Sequence, residues 1–357
     1  MIIVKNQCIK ILKDLLLINI RNKTMIFKFF FTFIFLRYIT PYNINVHPIE
    51  KRCLYVNNLS FPVKYNELLE IKNLFNRYPL LIFRNPSKKL SPNEFIEFLT
   101  IFDKDCDREA LEDPDKFPLQ MLQPFDQFPD CKHVAPRGNF IKDNFFGIKH
   151  INVKPSKEFI SNYLWHTDLL GHREKNPGII TGFHIIKNPV IGGETDFISG
   201  ETIYENLNKR QIKLLNNSRV IINRNNFAFG NKIMDYSGSY RIKDSDIKFP
   251  ENNIQVPILF PPETIYQKHK VLIMPSFIEN IVGFDIKETD KKIKYFMEKI
   301  VLPHRFSIQW KEGDICVFNN RCFMHSSTPA RNYLELSDNE RLLFQTFLPT
   351  KKLFNYK

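Results

Sequence analysis

Trp165-His166-Thr167-Asp168 is the stretch from which the rest of this 357-residue chain is interpreted. A His and an Asp two positions apart on an extended segment project to the same side, because side chains on a strand alternate with a period of two. Both side chains can therefore point at one metal ion. Two protein ligands do not complete a reactive iron site, so the pair calls for a second histidine from elsewhere in the chain.

His325 is the histidine whose surroundings best meet this requirement. It follows a predicted strand, Ile315 to Phe318, and the turn-forming Asn319-Asn320-Arg321, as expected at the mouth of a β-barrel. His166, Asp168 and His325 would together form the two-histidine-one-carboxylate triad that leaves coordination positions open on Fe(II). The alternative is a chance His-x-Asp pair, since such pairs also occur without a metal.

Two further features favour a functional site. Gly192-Gly193-Glu194-Thr195 combines glycines that permit a tight turn with the hydroxyl of Thr195. Arg341 lies on the last predicted strand, and an arginine directed into an apolar barrel needs an anion to pair with. A guanidinium binds a carboxylate through two parallel hydrogen bonds. Taken singly, a hairpin turn and a surface arginine would explain these residues; taken together with the triad, they indicate a binding site.

Short strands dominate the sequence from Asn139 onward, after an N-terminal helix-strand-helix segment. The predicted strands are Leu80 to Phe83, Phe145 to Val153, Gly178 to Ile186, Arg219 to Ile222, Val271 to Met274, Phe306 to Trp310, Ile315 to Phe318 and Leu342 to Leu348. The predicted helices are Asn66 to Tyr78, one opened by Ser91-Pro92-Asn93-Glu94, Ser199 to Leu215 and Asp290 to Leu302. This pattern favours a mainly β fold with flanking helices, a sandwich or jelly roll, over a parallel βαβ sheet.

Composition and charge are those of a globular protein, with 43% apolar and 25% charged residues. The net charge is +13, and the first 46 residues carry seven Lys and Arg against one Asp, which accounts for +6 of it. The remaining excess is scattered, so we expect no nucleic-acid partner. The six cysteines contain no Cys-x-x-Cys pair, which excludes zinc-ribbon and dithiol redox motifs.

Residues 1–46 form a hydrophobic, basic leader, and residues 47–357 have the composition of one folded domain. Neither apolar run of the leader, Ile11 to Ile20 or Phe29 to Leu36, reaches the roughly 20 residues of a spanning helix. From Met25 the layout is that of a signal peptide, although no small-residue cleavage site follows. We expect secretory, organellar or membrane association through this leader; the alternatives are a cytoplasmic protein with an ordinary extension or a mis-assigned start.

The motifs resemble, in order and spacing, those of the TauD/TfdA family of Fe(II)- and 2-oxoglutarate-dependent dioxygenases. The matching segments are Leu164 to Asp168, Gly192-Gly193-Glu194-Thr195-Asp196-Phe197, Trp310-Lys311-Glu312-Gly313-Asp314, Phe318 to His325, and Arg341. The resemblance covers roughly residues 50 to 350. It implies a double-stranded β-helix, the cupin-like jelly roll.

The resemblance also implies a chemistry and a set of ligands. His166, Asp168 and His325 would bind Fe(2+), while Arg341, assisted by Thr195, would hold the C5 carboxylate of 2-oxoglutarate. The chain would then use O2 to hydroxylate a C–H bond of a small-molecule substrate, releasing succinate and CO2, with no catalytic residue beyond the metal centre. A carboxylate at Asp168 favours hydroxylation over halogenation, because halogenating relatives leave that ligand position to halide.

The substrate is the least determined part of this interpretation. Taurine dioxygenases carry a second arginine four positions after the cosubstrate arginine, and here that position is Gln345, which argues against a sulfonate. Asn162, Tyr163 and Trp165 precede the metal-binding residues and could line the substrate pocket, as could Gln345. Lys149, His150 and Arg137 could hold an acidic substrate, and a small amphiphilic acid is the family default. The alternative is that these three residues are structural or exposed to solvent.

Three other functions remain open at this point. The same iron site could oxidise a protein or lipid side chain, for which a wide groove and a membrane leader would be suitable. A non-catalytic metal-binding relative is a second alternative, although the intact triad and Arg341 weigh against it. A zinc hydrolase fits the ligand types, but it leaves Thr195 and Arg341 without a purpose.

Overall fold

The computed structural model describes residues 44–112, 128–153, 165–168, 178–222, 254–262, 268–273, 278–328 and 339–352. The chain divides into two compact units, Met1–Ile44 and Asn45–Lys357. The predicted leader at 1–46 lies outside the described residues apart from 44–46, so its role stays a prediction. Within the described ranges, no helix is both long enough and apolar enough to cross a membrane.

Strands make up most of the regular structure in the described residues. They are β1 Asn45–Glu50, β2 Cys53–Asn57, β3 Leu80–Arg84, β4 Ala135–Phe145, β5 Ile148–Val153, β6 Ile180–Lys187, β7 Thr195–Ser199, β8 Arg219–Ile222, β9 Ile254–Pro257, β10 Leu259–Phe260, β11 Val271–Leu272, β12 Ile278–Ile281, β13 Phe306–Ile308, β14 Ile315–Asn319, β15 Phe323–Ser327 and β16 Arg341–Phe347. The prediction of a mainly β protein is confirmed.

The helices are short and begin at local sequence signals. They are α1 Tyr65–Arg77, α2 Pro92–Thr100, α3 Arg108–Glu112, α4 Gly200–Asn206, α5 Lys209–Asn216 and α6 Ile286–Phe296, which continues into a π turn at Met297–Val301 and a 3-10 turn at Leu302–His304. Ser91 and Glu94 form a capping box at α2: the Ser91 hydroxyl accepts from the Glu94 amide at 3.4 Å, and the Glu94 carboxylate accepts from the Ser91 amide at 3.0 Å.

Two sheets enclose the core of the domain. The large sheet has the order β1-β2-β3-β14-β6-β16-β4-β5, and a small sheet has the order β13-β7-β15. Their facing residues form one apolar cluster, which we call the inner core. It includes Phe183, Phe318 and Leu343 from the large sheet, and Phe197 and Phe323 from the small sheet. The strand pairs of these two layers are antiparallel except for β2 with β3, and layers packed in this way form a jelly roll.

The small sheet is also covered on its other face, by the outer core. Ile198 on β7 and Met324 on β15 alternate with inner-core residues, and they pack with Ile203 of α4 and Leu215 of α5. Further strands stand beside it as β12-β8-β9 and β10-β11. Side chains on β7 and β15 are therefore fixed from both sides, which makes these strands a rigid support for a site.

The region predicted as a single strand, Phe145 to Val153, is instead the second half of a hairpin. β4 runs from Ala135 to Phe145, the chain turns at Phe146-Gly147, and β5 begins at Ile148. The prediction missed β4 because Pro136 and Gly138 have low strand propensity. Gly138 is required there: a Cβ at this position would lie 2.0 Å from the Arg341 carbonyl oxygen.

Two helix predictions also need correction. The segment Ser199 to Leu215 is two helices, because Asn208 interrupts the first and caps the second by accepting a hydrogen bond from the Gln211 amide at 2.9 Å. The helix predicted from Asp290 begins earlier, at Ile286, where Asp285 caps it by accepting from the Glu288 amide at 2.8 Å.

Candidate functional site

His166 and His325 meet across the edge of the small sheet. His166 forms an isolated antiparallel bridge with His325 of β15, in which each amide donates to the other's carbonyl at 3.0 and 2.9 Å. Their ring centroids are 4.2 Å apart. Backbone pairing thus brings together two histidines that are distant in sequence.

Asp168 completes the group. Its carboxylate oxygens lie 3.5 Å from His166 Nε2 and 3.8 Å from His325 Nε2. One possible ligand atom from each of the three residues lies within 4.8 Å of the others. One ion could therefore contact all three side chains, and two imidazoles with one carboxylate are a donor set that suits Fe(II).

The environment keeps Asp168 and His325 in their deprotonated forms. Burial raises the pKa of Asp168, but His325, His166 and a hydrogen bond donated by the Thr181 hydroxyl outweigh burial and bring the pKa to about 2. Burial lowers the pKa of His325 to about 3, and the neighbouring His166 acts in the same direction. An ionised carboxylate and a neutral imidazole are the forms that bind metals.

Apolar rings enclose His325 on the side facing the inner core. The centroids of Phe318, Phe183 and Phe197 lie 5.1, 5.7 and 6.0 Å from the His325 ring. Packing on several sides leaves the imidazole few alternative rotamers. The cluster therefore lies at the edge of the inner core, where His166 remains about one-third exposed, at 32%.

Asn320 holds the backbone of Asp168, and sequence reasoning did not assign it this role. Its Oδ1 accepts from the Asp168 amide at 2.9 Å, and its Nδ2 donates to the Asp168 carbonyl at 2.9 Å and to the Gly178 carbonyl at 3.3 Å. The side chain is fully buried. The available signal was a run of polar residues, Asn319-Asn320-Arg321, between two apolar strands: buried polar groups must be hydrogen-bonded to something specific.

Thr195 lies on β7, buried beside the inner core. Its Oγ1 accepts a hydrogen bond from Trp310 Nε1 at 3.0 Å. A hydroxyl that accepts one hydrogen bond still has its own proton to donate. Thr195 can therefore present an O–H group to an anion.

Arg341 begins β16 and is held in register with Asn139 of β4. Leu343, two residues along, belongs to the inner core. Because side chains alternate along a strand, Arg341 projects from the inner face of the large sheet. The structure thus places an arginine on the sheet face that also carries the Thr181 contact to Asp168.

Of the residues predicted to line the substrate pocket, the structure describes Gln345 and Trp165. Gln345 is on the inner face and accepts a hydrogen bond from Arg137 Nε at 3.1 Å. Trp165 packs against the outer core, and its contact with substrate stays a prediction. Asn162 and Tyr163 lie outside the described residues.

Comparisons with known proteins identify relatives of this chain. An alkylsulfatase from Acinetobacter baylyi is 26% identical over 165 residues, 45% of this chain and 50% of that protein. An (S)-phenoxypropionate/alpha-ketoglutarate-dioxygenase from Sphingobium herbicidovorans is 23% identical over 204 residues, 55% of this chain and 67% of that protein. The chain spans about half the length of the curated relatives it matches.

The comparison with solved structures covers more of the chain than the sequence comparison does. The crystal structure of a taurine dioxygenase from Burkholderia xenovorans matches with a TM-score of 0.58 and 17% identity, over 86% of this chain and 90% of that chain. The likeness shows a shared jelly-roll fold. The family model described as taurine catabolism dioxygenase TauD, TfdA family, matches residues 48–346. By this match over most of its length, the chain belongs to the TauD/TfdA family.

Proposed function

We propose that this protein is an Fe(II)- and 2-oxoglutarate-dependent dioxygenase that hydroxylates a C–H bond of a small acidic molecule. The observation that carries the proposal is the meeting of His166, Asp168 and His325, whose possible ligand atoms lie within 4.8 Å of one another. Relatives named for alpha-ketoglutarate and for phenoxypropionate support the cosubstrate and an acidic substrate.

The protein's contribution to metal binding is a preformed donor set. The two imidazoles and the Asp168 carboxylate would hold Fe(II), with Thr181 donating to the carboxylate at 3.1 Å to fix its orientation. Three protein ligands leave positions for the 2-oxo acid and for O2. When bound, iron would activate O2, which is the oxidant: one oxygen atom would enter succinate as 2-oxoglutarate loses CO2, and the other would enter the substrate as its new hydroxyl group.

Arg341 and Thr195 would bind the far carboxylate of 2-oxoglutarate. Arg341 offers a guanidinium fork from the inner face of β16, and such a fork pairs with a carboxylate bidentately. The Thr195 hydroxyl, already accepting from Trp310, has a proton to donate to the same carboxylate. Both groups are presented by sheet strands, which suits them to orient the cosubstrate.

An anaerobic titration tests the proposal. The protein is loaded with Fe(II) and then with 2-oxoglutarate, and the visible charge-transfer band of a chelated 2-oxo acid is followed. We expect the band in the wild type and in the control His269→Ala, whose histidine stacks on Tyr204 away from the cluster. His166→Ala should lose both the band and tight iron binding.

Arg341→Gln tests the cosubstrate assignment separately. Breaking a buried charge pair costs about 2–5 kcal/mol, so half-maximal band formation should need at least about thirtyfold more 2-oxoglutarate. An unchanged 2-oxoglutarate requirement would overturn the role of Arg341. A wild-type protein that binds metal but shows no band would instead point to a zinc enzyme or a binding-only relative.

A further inference from the structure

Arg137 on β4 is a half-buried cation that the proposed metal and cosubstrate sites do not use. It lies directly opposite Leu343 of β16. Residues directly opposite each other in an antiparallel pair project from the same face. Since Leu343 belongs to the inner core, Arg137 also projects from the inner face of the large sheet.

Gln345 sets the direction of the Arg137 side chain. Arg137 Nε donates to Gln345 Oε1 at 3.1 Å, across a diagonal between the two strands. On its other side, Gln345 is paired with Phe183 of β6, whose ring is 5.7 Å from that of His325. The hydrogen bond therefore holds the guanidinium beside the part of the inner face that borders the histidine-aspartate cluster.

The charge of Arg137 has no counter-ion within the described part of the chain. Its contact there is the neutral amide of Gln345. Arg52 and Arg84, by contrast, contact the carboxylates of Glu201 and Asp314 at 2.7 and 2.9 Å. A guanidinium has five N–H donors, so both Nη groups of Arg137 remain for another ligand. A partly buried cation is stabilised when it pairs with an anion.

We propose that Arg137, positioned by Gln345, binds the anionic group of the organic substrate through its Nη groups. The ligand class is a small organic oxyanion, and the planar fork matches a carboxylate best. The proposal rests on the proposed function, because the anion would anchor a molecule whose C–H bond lies beside the iron. Arg341, which pairs with Asn139 on the same face, would bind the carboxylate of 2-oxoglutarate. Each of the two arginines would therefore bind a different anion.

The test uses the full chain loaded anaerobically with Fe(II) and 2-oxoglutarate. Hexanoate, hexanesulfonate, hexyl sulfate and 2-phenoxypropionate are each titrated, with hexanol and 2-phenoxypropanamide as neutral counterparts, and binding is read from the change in the visible band. We expect the wild type to bind at least one acid about tenfold or more tightly than its neutral counterpart, as a charge-assisted hydrogen bond provides. The preferred head group identifies the oxyanion.

Arg137→Gln should abolish this preference for acids while leaving the 2-oxoglutarate requirement unchanged. Arg137→Lys keeps the positive charge but loses the planar guanidinium. Its preference for acids should therefore lie between that of the wild type and that of Arg137→Gln. Lys142→Gln is the matched control: it removes a cation from the same strand, where Lys142 is paired with Glu340 at 2.9 Å, and it should behave like the wild type. The urea midpoint of each variant reports whether it is folded.

Three results would overturn the assignment. The wild type could show no preference for any acid over its neutral counterpart, Arg137→Gln could retain the preference, or Arg137→Gln could instead raise the 2-oxoglutarate requirement, which would make Arg137 a cosubstrate residue. If Arg137→Gln does not fold, an unaltered preference in Arg137→Lys and in Gln345→Leu overturns it. A wild-type protein without the band refutes the proposed function itself, which is a separate and recognisable outcome.

Discussion

Asn320 is a single residue that links the fold to the proposed metal site. It contacts the amide and the carbonyl of Asp168 at 2.9 Å each, so its removal leaves buried backbone groups without partners. We expect Asn320→Ala to lower the free energy of unfolding by about 1–3 kcal/mol and to weaken Fe(II) binding by about tenfold to a hundredfold. Urea denaturation and anaerobic iron titration measure the two effects.

Asn188→Ala separates loss of stability from loss of ligand orientation. Asn188 donates to the Trp310 carbonyl at 3.1 Å and does not contact Asp168. This variant should lose some stability and bind Fe(II) as the wild type does. If Asn320→Ala also retains wild-type iron affinity, Asn320 supports the fold without orienting Asp168.

His184 gives the domain a pH-dependent stability that is independent of the metal site. It is fully buried: its Nε2 accepts from the Leu90 amide at 3.0 Å, which leaves the proton on Nδ1, 3.3 Å from the Asp314 carbonyl. Burial lowers the pKa of His184 from 6.5 to about 4. Below pH 6.5 the unfolded chain therefore binds a proton that the folded chain rejects.

We expect His184 to cost the folded state up to about 3 kcal/mol as the pH falls from 6.5 to 4. His184→Gln can still accept from the Leu90 amide and donate to the Asp314 carbonyl, but it cannot titrate. Its unfolding free energy, measured in urea at several pH values, should fall less steeply across this window. An equal slope in both proteins would mean that other groups dominate the acid response.

At the level of elements, the sequence predicted best those whose signals are local. α1 and β3 agree with their predicted bounds within one residue at each end, and α2 begins at its predicted start, with Ser91 as the N-cap and Pro92 in the first turn. Helix caps and apolar periodicity are contained within a few consecutive residues. The motifs also identified His166, Asp168 and His325 as candidate metal ligands from the sequence alone.

Elements that depend on long-range pairing were not predictable in this way. β4 contains Pro136 and Gly138, and it is a strand because β16 and β5 pair with its two edges. The contact between Arg137 and Gln345 follows from that pairing, so it could not be predicted while β4 was missed. The clamp of Asn320 on Asp168 similarly requires the topology that brings two distant segments together.

Gly182 is a position where the packing of a helix on a strand leaves no room for a side chain. It lies on β6 under α2, where an added Cβ would stand 2.4 Å from Leu99 Cδ1 and 3.0 Å from the Phe95 ring. We expect Gly182→Ala to lower the free energy of unfolding by about 1–3 kcal/mol through overpacking. Leu99→Ala opens space at this contact, so the cost of Gly182→Ala should be smaller in that background, as a double-mutant cycle in urea would show. Additive costs would place the strain elsewhere.

At the level of the whole molecule, residues Asn45–Lys357 should form the complete catalytic unit. This unit contains the family match at 48–346 and all the residues proposed to bind iron, cosubstrate and substrate. A chain beginning at Asn45 should therefore keep the urea midpoint of the full chain and form the same charge-transfer band. Loss of folding in this variant would show that residues 1–44 belong to the domain.

A deletion that also removes β1, Asn45–Glu50, should destabilise the domain. β1 begins at Asn45, where it pairs with Asn57 of β2, so a chain beginning at Lys51 loses the whole edge strand. That variant uncovers β2, whose Cys53, Leu54 and Val56 are buried, and we expect it to unfold at a clearly lower urea concentration. Equal midpoints for chains beginning at Asn45 and at Lys51 would contradict the assignment of β1 to the large sheet. Comparing the location of the full chain in cells with that of the chain beginning at Asn45 then tests the leader alone, since both carry the same catalytic unit.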